Sequence, residues 1–158
     1  MKQLQFKYVK IHPKAIVPKK VSGNLAFDLH VVRDENFYEH NWPGQPNDYK
    51  YRLMAGQRRI FHTGLKIAIP VGYGVIVRDR SGLAVKQGLH VLAGVIDSSY
   101  RGEWMICLLN TGDNTYEIVE GDRIAQAIVV PEYKIDFMEE KDLDDTFRGE
   151  SGFGASGR

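Results

Sequence analysis

Three short stretches of this 158-residue chain carry side chains suited to chemistry on an anion. One is Gly94-Val95-Ile96-Asp97, followed by Tyr100-Arg101-Gly102. Asp97 follows an apolar pair and precedes a turn, so its carboxylate stands at a strand end beside a tyrosine. Such a carboxylate either hydrogen-bonds the backbone of its own turn or acts as a general base on a water molecule. The second stretch is Arg80-Ser81-Gly82, where a strand meets a short helix around Gly82 to Lys86. A helical turn starting there aims backbone N–H groups at an anion, with a guanidinium and a hydroxyl beside them. The alternative is an N-cap serine next to a solvated arginine. The third is Gly121-Asp122-Arg123, leading into Ile124-Ala125-Gln126. Gln126 interrupts an apolar run. It either points into a polar pocket or faces outward on a half-exposed strand.

The C-terminal stretch RGESGFGASGR adds a fourth candidate. Its glycine-rich backbone suits an anion-binding nest, and Arg148 offers the planar fork that matches phosphate. Phe153 lies between Gly152 and Gly154 with no apolar neighbour, an arrangement that fits stacking on a base. Fraying is the default for such a terminus. The five histidines, at 12, 30, 40, 62 and 90, show neither HxH nor HExxH spacing, which argues against a protein-ligated zinc.

The elements that must position these residues read as short strands bounded by turns. Apolar and polar residues alternate at Leu4, Phe6, Tyr8; at Leu65, Ile67, Ile69; at Trp104, Ile106, Leu108; and at Tyr133, Ile135, Phe137. Val75 and Val77, Tyr116 and Ile118, and the run Ile124 to Val130 fill the gaps. The series predicts an all-β fold, a barrel or sandwich with one short helix. Residues 34–57 read as a long loop or inserted hairpin, and residues 139–158 pass from an acidic stretch into the glycine-rich tail. That tail cannot build core, so it is either disordered or a segment that closes over a ligand.

Composition narrows the classes. Lys plus Arg number 21 against 20 Asp plus Glu, a net charge of 21 − 20 = +1, which argues against a general nucleic-acid binder. Cys107 is the single cysteine, so neither an intrachain disulfide nor a multi-cysteine metal site is available. No run of about 18 apolar residues marks a membrane span. The N-terminal MKQLQFKYVKIHPK lacks the apolar core of a signal peptide, so a soluble cytoplasmic domain is expected. Glycine is in excess, 16 residues or about 10% against a usual ~7%, and half of them fall in the chemically suggestive stretches.

Taken in order, these stretches resemble the five motifs of the trimeric deoxyuridine triphosphatase (dUTPase) family. The first motif is resembled by Ala26-Phe27-Asp28-Leu29, the second by Arg80-Ser81-Gly82-Leu83-Ala84, and the third by the Asp97 segment. The fourth is resembled by Gly121 to Gln126, and the fifth by Arg148-Gly149, Gly152-Phe153-Gly154 and Ser156-Gly157. The resemblance runs from about residue 20 to the C-terminus. It implies a jelly-roll-like β domain over 1–138, with 139–158 as an arm closing over active sites shared within a homotrimer. It also implies hydrolysis of dUTP to dUMP and pyrophosphate, with Mg²⁺ bound mainly by the triphosphate.

By the same resemblance, Asp97 is the catalytic base, and Arg80, Ser81, Gly82, Gln126 and Arg148 bind the phosphates. Ala93, Gly94, Val95 and Ile96 read the uracil, and Tyr100 packs on the deoxyribose. Phe153 and Gly154 cover the base, and Ser156 reaches the γ-phosphate. Asp28 orients Arg80 or a metal-bound water. The chain departs from the pattern at Leu25-Ala26, at Ser99, at Ser151 and in the length of 34–57. Two other readings stay open. A dCTP deaminase, or a bifunctional relative, needs a Glu on the strand after the third motif. Here that strand holds none, and Glu103 only precedes it. A regulatory binding module could use 34–57 as a protein contact, with Tyr38, Trp42, Tyr49 and Tyr51 as anchors.

Overall fold

A computed structural model describes residues 3–33 and 50–151. The described residues form ten strands and one helix: β1 (Lys7–Lys10), β2 (Phe27–His30), β3 (Lys50–Leu53), β4 (Arg58–Ala68), β5 (Tyr73–Arg78), α1 (Ser81–Gln87), β6 (Leu89–Leu92), β7 (Val95–Ile96), β8 (Glu103–Asn110), β9 (Tyr116–Val119) and β10 (Arg123–Pro131). They assemble into two four-stranded sheets, β1-β4-β8-β6 and β2-β10-β5-β7, and a two-stranded ribbon, β3-β9. Every pairing is antiparallel. The fold is the expected all-β architecture with one short helix.

Period-two patterning explains the packing, because successive strand residues point to opposite faces. Leu65 and Ile67 of β4, Val75 and Val77 of β5, and Trp104, Ile106 and Leu108 of β8 all turn into one core. Each such aliphatic side chain contributes roughly 1.5–3 kcal/mol by burial. Trp104 is fully buried, and its indole Nε1 donates to the Ile67 carbonyl at 3.2 Å. Asn110 is the polar pin: its buried amide donates to the carbonyls of Leu53 and Asn114, each at 2.8 Å.

Three features differ from the reading of the sequence. The alternation at Tyr133, Ile135 and Phe137 produces no strand. These side chains are 76%, 68% and 92% exposed: β10 ends at Pro131, and among the described residues no strand pairs with the segment that follows. Helix α1 begins at Ser81, so the N-cap is Arg80, which makes no side-chain cap bond. The serine stands one residue too late to cap. Third, residues 50–57 belong to the body of the fold. β3 pairs with β9, and Tyr51 is buried, its ring edge-on to Phe61 at 5.4 Å with the Arg59 guanidinium 4.5 Å above it. Tyr51 is therefore not a free anchor for a partner. Tyr38, Trp42 and Tyr49 lie outside the described residues, as do Phe153, Gly154 and Ser156. Among the described residues no helix is long and apolar enough to cross a membrane.

Candidate active site

The chain builds its candidate site in separate pieces. One is a cavity of about 230 Å³ in the fork between β6 and β7. β6 is the edge of one sheet and β7 the edge of the other. The residues between them must therefore carry the chain from sheet to sheet in a very tight turn. Ala93 has φ +62° and Gly94 φ +101°. A Cβ on Gly94 would stand 2.7 Å from the Val77 carbonyl oxygen, so only glycine fits. The Val77 N–H donates to the Gly94 carbonyl at 2.7 Å and closes the turn.

Val91 to Asp97 line this fork, with Tyr100 at its rim and β8 residues from Glu103 to Cys107 opposite. Its walls are mostly apolar. The polar groups available for recognition belong largely to two strand edges, which carry backbone donors and acceptors not used by a neighbouring strand. That combination suits a small planar ring with amide-like edges. Asp97 is exposed at the mouth, and its carboxylate has no hydrogen-bond partner among the described residues. The turn behind it is closed instead by the Tyr100 N–H donating to the Asp97 main-chain oxygen at 3.1 Å.

The second piece is a cluster of charges where β2, β10 and the end of β5 meet. Arg80 Nε donates to Asp28 Oδ1 at 3.0 Å, and its NH1 donates to the Arg123 carbonyl at 2.9 Å. Arg123 NH1 donates to Asp28 Oδ2 at 3.2 Å. Asp28 thus fixes two guanidinium groups, and Arg80 keeps three of its five N–H donors for a ligand. Gln126 lies on β10 opposite Asp28 and Arg78 and faces away from the buried Ala125 and Ala127. Its amide donates to the Asp79 carbonyl at 2.7 Å, and it opens with Asp28 onto a cleft of about 520 Å³. Of the two readings of Gln126, the polar pocket is the one the fold adopts. Ser81 and Gly82 stand exposed beside this cluster, and nothing lies within 4 Å of the place a Gly82 Cβ would take.

Several contributing residues gave little or no signal in the sequence. Asp79 is one: its Oδ1 accepts the Val91 N–H at 2.6 Å, and Oδ2 lies 2.7 Å from His90 Nδ1. It joins the cluster to the fork. His30 is another. Its Nδ1 is buried without a partner among the described residues, and burial holds the imidazole below its ordinary pKa, aided by Arg123 and Arg80 and opposed by Asp28. Its proximity in sequence to Asp28 was the only hint. Arg148 sits apart in the exposed segment after β10, its Nε donating to the Ser151 carbonyl at 2.9 Å.

Asp79 bridges the two pieces, but Asp97 and Arg80 stand at their far ends. β5 pairs with β7 through Val75–Ile96 and Ile76–Val95, so Asp97 lies level with Gly74. β5 runs four residues on to Arg78, about 13 Å at the usual strand rise, and Arg80 follows two residues beyond its end.

Comparison with known proteins agrees with the five ordered motifs. A sequence model described as dUTPase matches residues 46–157. The deoxyuridine 5'-triphosphate nucleotidohydrolase of Helicobacter pylori (strain P12) is 38% identical over 157 residues, covering 98% of this chain and 97% of the relative. The protein of the same name from Nautilia profundicola is 36% identical, covering 98% of this chain and all of the relative. The fold matches that of the Staphylococcus bacteriophage 80alpha dUTPase with dUPNHPP, with a TM-score of 0.81 at 20% identity over 99% of this chain and all of that one. It also matches the dUTPase from phage phi11 of S. aureus, described with a structural Mg(II) ion, with a TM-score of 0.73 at 18% identity over 90% of this chain and all of that one. The ordered motifs, the near full-length similarity and the shared fold together place the chain in the dUTPase family.

Proposed function

We propose that the protein hydrolyses dUTP to dUMP and pyrophosphate. The observation that supports this most directly is the exposed, unpartnered Asp97 carboxylate at the mouth of a ring-sized fork. In this reading the fork takes uracil through backbone groups of Ala93 to Ile96, and Tyr100 lies against the sugar. Asp97 accepts a proton from water as its oxygen attacks the α-phosphorus, and pyrophosphate leaves. Arg80, Ser81, Gly82 and Gln126 hold the phosphate chain, and the open space at Gly82 admits a phosphate oxygen close to the backbone. Arg148, Phe153, Gly154 and Ser156 close the site from the C-terminal arm.

The metal belongs with the substrate. Both Asp28 oxygens are committed to arginines, and among the described residues no group of three or more His, Cys, Asp or Glu could hold a metal. The donor set therefore suits Mg²⁺ carried on the triphosphate, with phosphate oxygens and water as its ligands. Asp28 acts on that substrate through Arg80 or through a metal-bound water.

The length of β5 from Gly74 to Arg78, about 13 Å, separates Asp97 from Arg80 and is several times the spacing of adjacent phosphates. One substrate meets both more directly if different subunits supply them. This favours a homotrimer with shared sites, in which the exposed apolar segment Tyr133 to Phe137 crosses to a neighbour. Residues 139–158 then act as the closing arm. Glu103 opens β8 rather than preceding it, contrary to the reading of the sequence, so the strand does carry the Glu that the deaminase reading asks for. That carboxylate is occupied: it accepts the Gly64 N–H at 2.7 Å and meets His62 Nδ1 at 2.7 Å.

The test is pyrophosphate release from dUTP with Mg²⁺. Asp97→Asn is expected to lose about 10²–10⁴ in kcat, the usual worth of a general base. Full activity in that variant, or ammonia release from dCTP by the wild type, refutes the reading. Co-refolding Asp97→Asn with Arg80→Ala chains is expected to restore activity if sites are shared. No recovery refutes the shared site.

A further inference from the structure

At the rim of the fork Tyr100 is held by a structural network whose other members have no part in the chemistry above. Tyr100 folds its ring back over the backbone of Gly102. A Cβ at 102 would lie 2.3 Å from the Tyr100 hydroxyl oxygen, 2.5 Å from Cζ and 2.9 Å from Cε2. The hydroxyl donates to the Glu103 carbonyl at 3.0 Å. The ring is thus placed by a missing side chain on one residue and a main-chain acceptor on the next.

That acceptor is itself anchored. At the start of β8 the Glu103 carboxylate accepts the Gly64 N–H through Oε1 and meets His62 Nδ1 through Oε2, both at 2.7 Å. The β4–β8 register shifts between His62 and Lys66, and the bulge brings both groups to one carboxylate. Gly64 has φ +68°, and a Cβ there would stand 2.6 Å from His12 Cβ, so the bulge tolerates no side chain. The neighbouring Trp104 carbonyl accepts the Thr63 hydroxyl at 2.7 Å. Glu103 and Trp104 line the same cavity as Tyr100.

We propose that Gly102 and Glu103 are positioning residues for sugar selection. Gly102 leaves the space that the Tyr100 ring occupies, and Glu103 fixes the carbonyl that receives its hydroxyl. Together they hold the ring where a 2′-hydroxyl would collide with it. The inference rests on the assignment of Tyr100 to the sugar.

Gly102→Ala is a clean probe. Its φ is not left-handed, and the atoms nearest the new methyl are the movable end of one side chain. The fold is expected to persist, shown by an unchanged melting temperature, while the ring swings off the rim. The readout is the dUTP to UTP ratio of kcat/KM, with the dUDP to UDP ratio of affinities by calorimetry as a measure free of turnover. Both ratios are expected to fall about tenfold or more, because one displaced wall changes discrimination by that order. Combined with Tyr100→Ala, the alanine at 102 should cost no further discrimination, since it acts through that ring. Glu103→Ala is expected to lower the ratios too. Glu103→Gln should rescue them, because its amide can still accept from Gly64 and donate to His62.

Unchanged ratios in Gly102→Ala, or losses that add to those of Tyr100→Ala, overturn the inference and leave the proposed activity standing. A wild type that binds dUDP no better than UDP removes the assignment of Tyr100 and this inference with it. A wild type that releases no pyrophosphate from dUTP but still prefers dUDP overturns the activity alone.

Discussion

The fork between β6 and β7 and the arginine–carboxylate cluster at Asp28 are opposite constructions. The fork selects by shape and backbone. Its tightest point is a left-handed pair, Ala93 and Gly94, and its walls carry few charges. The cluster selects by charge and angle. Asp28 aims two guanidinium groups from one carboxylate, over contacts of 3.0 and 3.2 Å. The fork should therefore fail when volume is added, and the cluster when a donor is removed or re-aimed. Asp79 is the hinge of the comparison, since its carboxylate holds β6 while its carbonyl holds Gln126.

With the base Asp97 set aside, the largest expected effect is on the cluster. Arg80→Ala removes donors aimed at developing phosphate charge, a loss of about 10²–10³ in kcat. Arg80→Lys is expected to recover little. An ammonium cannot meet Asp28 and the Arg123 carbonyl together while still presenting a planar fork. Steady-state kinetics with dUTP checks both. If Arg80→Lys kept wild-type kcat, the cluster would be reading charge alone and the contrast with the fork would shrink.

Next comes Gly94→Ala. The added methyl meets the Val77 carbonyl oxygen at 2.7 Å in a left-handed backbone, at a cost of about 1–3 kcal/mol of stability. The signature differs from that of Arg80. KM should rise about tenfold or more from a displaced wall, and the melting temperature should drop with it. Thermal melting beside kinetics separates the two failures.

How far these parts were legible follows from the same contrast. The strands at Leu65–Ile69 and Trp104–Leu108 were readable because period two is a local signal, and both faces of each strand obey it. Tyr133, Ile135 and Phe137 show the same alternation, yet a strand also needs a partner alongside it, and no local pattern reports whether the chain path brings one. The Asp28–Arg80 and Arg80–Arg123 contacts join residues 52 and 43 positions apart, beyond any spacing argument. Gln126 was ambiguous because a polar residue on a strand has two faces to choose from. Only the position of Asp28 across β10 decides between them. The order of the motifs, rather than any one of them, carried the roles.

A smaller effect is expected of Asp28→Asn. The amide can still accept from Arg80, but its N–H₂ group confronts Arg123, so one guanidinium is released. kcat/KM should fall about tenfold through misorientation. Stability should change little, because a partly exposed ion pair is worth about 0.2–1 kcal/mol. A large loss of melting temperature would show that Asp28 is a structural pin rather than an aiming device.

The smallest effect isolates the cluster by pH. His30 lies two residues after Asp28 on the same face of β2, opposite Arg123 in register. Burial, then Arg123 and Arg80, hold its pKa below 6.5 in the folded protein, against the pull of Asp28. The unfolded chain takes up this proton more readily than the folded one. The stability linked to His30 is therefore complete above pH 6.5 and is lost as pH falls through the lower, folded value. Glu120 is set the other way in range. The Lys14 ammonium, opposed by desolvation and aided by the Arg33 N–H, keeps its pKa below 4.5, so its contribution is lost only in more acid solution. Denaturant titrations between pH 6.5 and 4.5 should thus show wild-type stability falling faster than that of His30→Gln. Because His30 lies beside the arginines and not in the fork, the affinity for deoxyuridine, which carries no phosphate, should be the same in both proteins at neutral pH. Parallel stability curves would show that neither burial nor the arginines depress the imidazole, and an affinity change would show that the cluster and the fork are not separable within one chain.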